Sequence, residues 1–126
     1  MSESPVDGWP YQRFHNWVLS LLRRGSATFP NRALAYKKAH AGRFKNPKTD
    51  RLSAHYTCAS CAGIFPSSQV EADHIEPVIP VTGWESWDDT VSRLFCSVDG
   101  YQILCKDCHV LKSAEENKLR PRKKRQ

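Results

Sequence analysis

Apolar residues recur at helical spacing from Tyr11 onward, and Phe14, Trp17, Val18, Leu21 and Leu22 fall on one face. The pattern predicts a first helix that packs through Phe14 and Trp17 and stops at Gly25. Pro30 opens a second helical stretch from Asn31 to His40, with Leu34 and Ala35 inward, Lys37 and Lys38 exposed, and Gly42 at its end. Residues 43–53 carry no clear period and read as a basic linker. A hairpin follows: a strand into Cys58, a turn over Ala59 and Ser60, and a return through Ile64 and Phe65 that Pro66 breaks. A strand over Val70–Asp73 delivers His74, and Pro77 and Pro80 make the next segment a loop. Trp87 to Cys96 sets Val91, Leu94 and Phe95 among charges, which predicts a short helix. A turn at Val98-Asp99-Gly100 leads into a strand over Tyr101–Leu104, and a last helix runs from Cys108 onward. The fold class expected from this order is α+β, with helices leading and short strands following.

Charge divides the chain more sharply than its net +6 conveys. Residues 13–51 hold ten Lys or Arg against one acid, Asp50, whereas residues 52–117 hold three basic residues against ten acids. The stretch 118–126 (KLRPRKKRQ) adds six more basic residues. A carboxylate-rich middle suits a cation, and basic flanks suit a polyanion such as nucleic acid. The expected organisation is a basic, DNA-contacting helical extension over 1–53, a functional module over 54–117, and a disordered basic tail over 118–126. Arg43, Lys45, Lys48, Lys112, Arg122, Lys123, Lys124 and Arg125 are the candidates for phosphate contact. The plainer reading is that these charges only solvate a helix face and a tail, and Lys112 also has Glu115 and Glu116 within reach on its own helix. No stretch approaches the ~20 apolar residues that span a bilayer, so no membrane partner is expected.

Two cysteine pairs sharpen the picture: Cys58-Ala-Ser-Cys61 and Cys105-Lys106-Asp107-Cys108. Each offers two sulfurs from one tight turn, and together they make the tetrahedral thiolate set of a structural zinc. Two disulfides are the competing reading. A fifth cysteine, Cys96, and an acidic start (MSESPVDGWP) without an apolar run weigh against it, and a reducing cytoplasm is expected. Because a four-thiolate site is closed, chemistry is expected beside it, at Asp73, His74 and His109. An Asp and a His can hold a divalent cation with positions left open, while a neighbouring His serves as a base. Adjacent strand residues point to opposite sides, which suits a division of roles between Asp73 and His74.

The run Asp73-His74-Ile75-Glu76-Pro77, followed by Leu104-Cys105-Lys106-Asp107-Cys108-His109-Val110-Leu111-Lys112, resembles the HNH endonuclease family in its four-cysteine zinc form. Thr82-Gly83-Trp84, Trp87-Asp88 and Arg93-Leu94-Phe95-Cys96 resemble the versions carried by tailed bacteriophages, and the likeness covers residues 55–117. It implies a zinc-stabilised ββα-metal (His-Me finger) module and Mg²⁺- or Mn²⁺-dependent cutting of double-stranded DNA to 5′-phosphate and 3′-hydroxyl ends. It also implies that His74 is the general base and that Asp73 and His109 hold the catalytic cation. A phage protein of this kind would work in the host cytoplasm, with terminase or another packaging protein as a candidate partner. One letter departs: the family's asparagine position is Gly100 here, preceded by Asp99. Either Asp99 substitutes, or backbone and water suffice, or activity is reduced. The alternatives to an enzyme are a non-catalytic zinc module that binds DNA and an accessory factor of the packaging machinery. An acidic dyad at the centre distinguishes an enzyme from the pure binder.

The remaining residues take structural readings. Cys96 is expected as a buried apolar thiol, His15 and His40 as surface or helix-end residues, and His55 as a structural contact. Glu76 reads equally as a partner of the metal ligands or as a loop carboxylate, and Trp84 and Trp87 are expected to pack under the loop they flank.

Overall fold

In a computed structural model that describes residues 3–121, the first two helices are α1 (Tyr11–Ser26) and α2 (Pro30–Ala39), the second with Pro30 in its first turn. The seating of α1 differs from its periodicity. Trp17 is 49% exposed and Leu21 41%, and the buried residue of the helix is His15, which completes a triangle of rings with Trp84 (4.8 Å) and Trp87 (4.5 Å). The apolar stripe of α1 is wider than the surface it meets, and two indoles, Trp84 and Trp87, distant in sequence, make an apolar seat that a histidine ring fills. On α2 Leu34 is exposed, and Ala35 seats the helix on Val70, Tyr101 and Ile103.

Residues 43–53 are not a linker. They enter a three-stranded antiparallel sheet of β1 (His40–Lys45), β2 (Leu52–Thr57) and β3 (Ile64–Pro66), in that order. The β1–β2 turn closes through Asn46 N–H to the Arg51 carbonyl (2.8 Å), with Asp50 in the left-handed region at φ 61°. An edge strand studded with cations shows no alternation, because both faces of its outer half are wet. That is why the pattern hid it.

A second sheet pairs β4 (Val70–His74) with β5 (Tyr101–Cys105), antiparallel, setting Asp73 opposite Gln102 and His74 opposite Tyr101. The Tyr36 hydroxyl of α2 accepts from the Ala72 N–H (3.0 Å), so the first helices are stitched to β4. Between the strands lies α3 (Trp87–Leu94), capped by Ser86, whose hydroxyl accepts from Asp89 N–H at 3.0 Å. From β5 the chain passes directly into α4 (Lys106–Leu119), which starts two residues before the expected Cys108. One core gathers Ala35, Val70, Tyr101 and Ile103; a second packs Leu104 against Cys58 and Cys105. Helices with two small antiparallel sheets fit the expected α+β class. Among the described residues no helix is long and apolar enough to cross a membrane.

Candidate functional site

The β2–β3 turn and the β5–α4 junction bring four sulfurs together. Cys58, Cys61, Cys105 and Cys108 have Sγ atoms all within 4.8 Å of one another, and Cys61 and Cys105 are 4.0 Å apart. A disulfide needs about 2.05 Å. Tetrahedral zinc at about 2.3 Å per sulfur needs S···S distances of about 3.8 Å, so a small contraction suffices. The turn geometry follows from local bonds: Cys58 N–H donates to the Gly63 carbonyl (2.8 Å), and Ala62 N–H to the Cys58 carbonyl (3.0 Å). The thiols titrate apart. Burial works to raise Cys58, but backbone amides of Cys61, Cys105 and Ser60 outweigh it and lower it to about 6. Hydrogen bonding with Cys105, then burial, pushes Cys108 up to about 12. Four thiolates cannot share this space without a cation, and the donor set could hold a metal ion such as zinc.

A second constellation forms where α4 crosses β4. Asp73 Oδ2 accepts from Gln102 Nε2 (2.9 Å) and pairs with Lys112 Nζ (2.9 Å), while Oδ1 stands 3.6 Å from His109 Nε2. The other nitrogen of His109, Nδ1, is 2.9 Å from Glu71 Oε2. Glu71 lies two residues before Asp73 on β4, hence on the same face. Lys112 is turned inward: besides Asp73 it meets Glu116 (3.0 Å) and the His74 carbonyl (2.9 Å). Burial works to lower its pKa, but the hydrogen bonds it donates to Asp73 and Glu116, and their charges, hold it above the usual lysine value.

His74 leaves the strand on the other side. Its Nε2 is 2.9 Å from the Leu94 carbonyl, which can only accept, so Nε2 carries the proton and Nδ1 keeps its lone pair when the ring is neutral. The ring packs on Tyr101 (4.8 Å), whose hydroxyl donates to the same Leu94 carbonyl (3.3 Å). Gly100 works through its backbone: its carbonyl accepts from Ile75 N–H (2.9 Å), and its N–H donates to Ser97 O (2.9 Å). A Cβ here would fall 2.7 Å from Cys96 Sγ and 2.9 Å from Cys96 Cβ, so no side chain fits. Asp99 is paired with Lys38 at 2.8 Å.

Asp73, His74 and His109 all border one cleft of about 610 Å³, walled also by Val78, Leu94, Glu116 and the elbow between α1 and α2. Arg43, Lys45 and Lys48 ride on the β1–β2 hairpin and its turn, outside the residues that line this cleft. Arg122, Lys123, Lys124 and Arg125 lie outside the described residues. His55 is buried, with Nδ1 2.9 Å from the Ser53 carbonyl and its ring edge-on to Phe44. Glu76 reaches Arg93 at 3.7 Å and is otherwise solvated. Sequence reasoning missed Glu71, Gln102 and Tyr101 beside the site, and Arg23, Arg32 and Arg120 on the cleft. Period-2 counting from Asp73 finds Glu71; the others follow from strand register and tertiary packing alone.

No family model and no solved structure matches this chain. Among curated proteins it is similar to one described as "Probable HNH endonuclease" from Lactococcus phage SK1, 39% identical over 59 residues, which is 47% of this chain and 55% of that protein. The chain spans about half the length of this relative. That similarity and the four-cysteine cluster together support the HNH family, the one its motifs resemble.

Proposed function

We propose that this chain is a divalent-metal-dependent DNA endonuclease of the HNH type, phage-encoded and active in the host cytoplasm. Its β4–β5 pair and α4 would form the ββα-metal unit, held by zinc on the four thiolates. The observation that carries the reading is His74: its ring is fixed through Nε2, and the residue borders the cleft that Asp73 and His109 also line. Asp73 Oδ1 and His109 Nε2 would hold Mg²⁺ or Mn²⁺, with Glu71 orienting the imidazole from behind. When bound, the ion would neutralise charge developing on the phosphate and on the departing 3′ oxygen. His74 Nδ1 would take the proton of the attacking water as its oxygen bonds to phosphorus; the bond to the 3′ oxygen breaks, and that oxygen takes a proton from solvent water, which leaves a 5′-phosphate and a 3′-hydroxyl. The Leu94 carbonyl favours the imidazolium that forms, since Nε2 donates more strongly once the ring is charged. Of the roles open to the asparagine position, backbone anchoring fits best: Gly100 holds Ile75, the residue after the base.

The test is cleavage of supercoiled plasmid in Mg²⁺ or Mn²⁺ by the parent and by His74→Ala. Loss of the base should slow cutting by about 10²–10⁴-fold with zinc content and DNA affinity retained. Equal cutting by His74→Ala, or none by the parent, would refute the assignment.

A further inference from the structure

Of the arginines on the cleft, Arg120 is committed: its Nη1 and Nη2 donate to the carbonyls of Pro80 (3.1 Å) and Ile79 (2.9 Å), which pins the end of α4 to the loop. Arg23, in the last turn of α1, and Arg32, in the first turn of α2, are different. Both line the cleft, and among the described residues neither has a carboxylate partner or a side-chain hydrogen bond. Two acids that also border the cleft, Asp73 and Glu116, are already paired with Lys112. Arg32 is steadied by the Tyr36 ring, its guanidinium carbon 5.3 Å from the ring centre. Arg32, Leu94 and His74 border the same cleft, and the Tyr101 hydroxyl shares the Leu94 carbonyl with His74. The cleft therefore brings together carboxylates suited to a cation and two uncommitted planar forks, the shape that matches phosphate oxygens.

We propose that Arg32 and Arg23 form a phosphate clamp, with Arg32 holding a non-bridging oxygen of the scissile phosphate beside His74 and Arg23 holding the neighbouring phosphate. This rests on the nuclease reading and gives the first two helices a role in the reaction. A clamp supplied from outside the β4–β5–α4 unit positions the substrate across from the base and the ion.

The variants are Arg32→Ala, Arg32→Lys and Arg23→Ala, with Lys37→Ala, an exposed α2 cation, as the measure of losing one dispersed charge. Two readouts are needed: plasmid cleavage resolved into kcat and KM, and anisotropy of a labelled 20-base-pair duplex without added divalent ion. Arg32→Ala should lower kcat by about 10²-fold, as loss of one transition-state donor does, and Arg32→Lys should restore part of it. Arg23→Ala should raise KM several-fold with kcat little changed, beyond the effect of Lys37→Ala. If the parent cuts and Arg32→Ala matches Lys37→Ala in kcat and KM, the clamp is overturned and the nuclease reading stands. If the parent binds duplex without cutting, the nuclease reading falls and the scissile phosphate with it; Arg32→Ala binding no more weakly than Lys37→Ala would then overturn phosphate contact as well. Should Arg32→Ala fail to fold, Arg32→Lys and Arg23→Ala decide: activity equal to the parent's in both overturns the clamp.

Discussion

At Lys112 a single ammonium serves Asp73, Glu116 and the His74 carbonyl. Lys112→Ala would take the ammonium from buried Asp73, which keeps Gln102, and from the largely buried Glu116. The expected loss is about 2 kcal/mol, between the values for exposed and buried pairs, read from denaturant unfolding. Its raised pKa means that this contribution is complete below the ordinary lysine value of 10.5 and fades only as pH climbs through the higher folded value. If Asp73 holds the ion as proposed, the same variant frees it from a competing cation, so half-maximal cleavage should need less Mg²⁺; an unchanged requirement would show that Lys112 does not compete. Gly100→Ala should cost about 1–3 kcal/mol through its clash with Cys96, and Cys96→Gly should relieve it, because both colliding atoms belong to that side chain. At this scale the sequence exposed what motifs carry, namely the four cysteines, Asp73, His74 and His109. Gln102 and Tyr101 reach the site only through register, and the burial of His15 depends on two tryptophans about 70 residues away.

Among the elements, the short ones were legible where residues of special geometry mark their ends: Pro66, Pro77, Gly100 and the cysteines themselves. The β1 strand was not, since its cations and its wet edge erase the period that reveals a strand. The thiol cluster joins the three-stranded sheet to the β5–α4 junction, so metal there should act on both. Protein purified without added metal should carry about one zinc per chain, the tetrathiolate stoichiometry, and chelation should lower its melting temperature steeply. Apparent zinc affinity should rise with pH between about 6.5 and 8, by competition with protons. Cys58, at about 6, has largely lost its proton over that range, while Cys108, at about 12, must still surrender one to the metal. Titration against a coloured chelator measures this, and a flat profile would point to fewer than four thiolate ligands.

For the molecule as a whole, charge was the clearest message and its placement the least. Basic 13–51 folds over an acidic centre, and two of its arginines face into the cleft while three other cations ride the hairpin outside it. Because Arg120 anchors the 79–80 loop, a tail truncation should spare it. Removing residues 122–126 takes away four positive charges. Every phosphate that these residues neutralise adds about 0.9 to the steepness of the log–log salt dependence of duplex binding. Truncation should therefore flatten that slope, and an unchanged slope would show that the tail does not touch the DNA backbone. The thiol cluster also sets a clock. Its first knuckle leaves the ribosome 47 residues ahead of Cys105, about 2–9 s at ordinary elongation rates. Through that interval Cys58 and Cys61 have no partner sulfurs and β4 has no β5, so a nascent chain carries half of each site. Synthesis order alone then keeps the thiol cluster and the Asp73–His109 cleft unassembled until β5 and the start of α4 have been made.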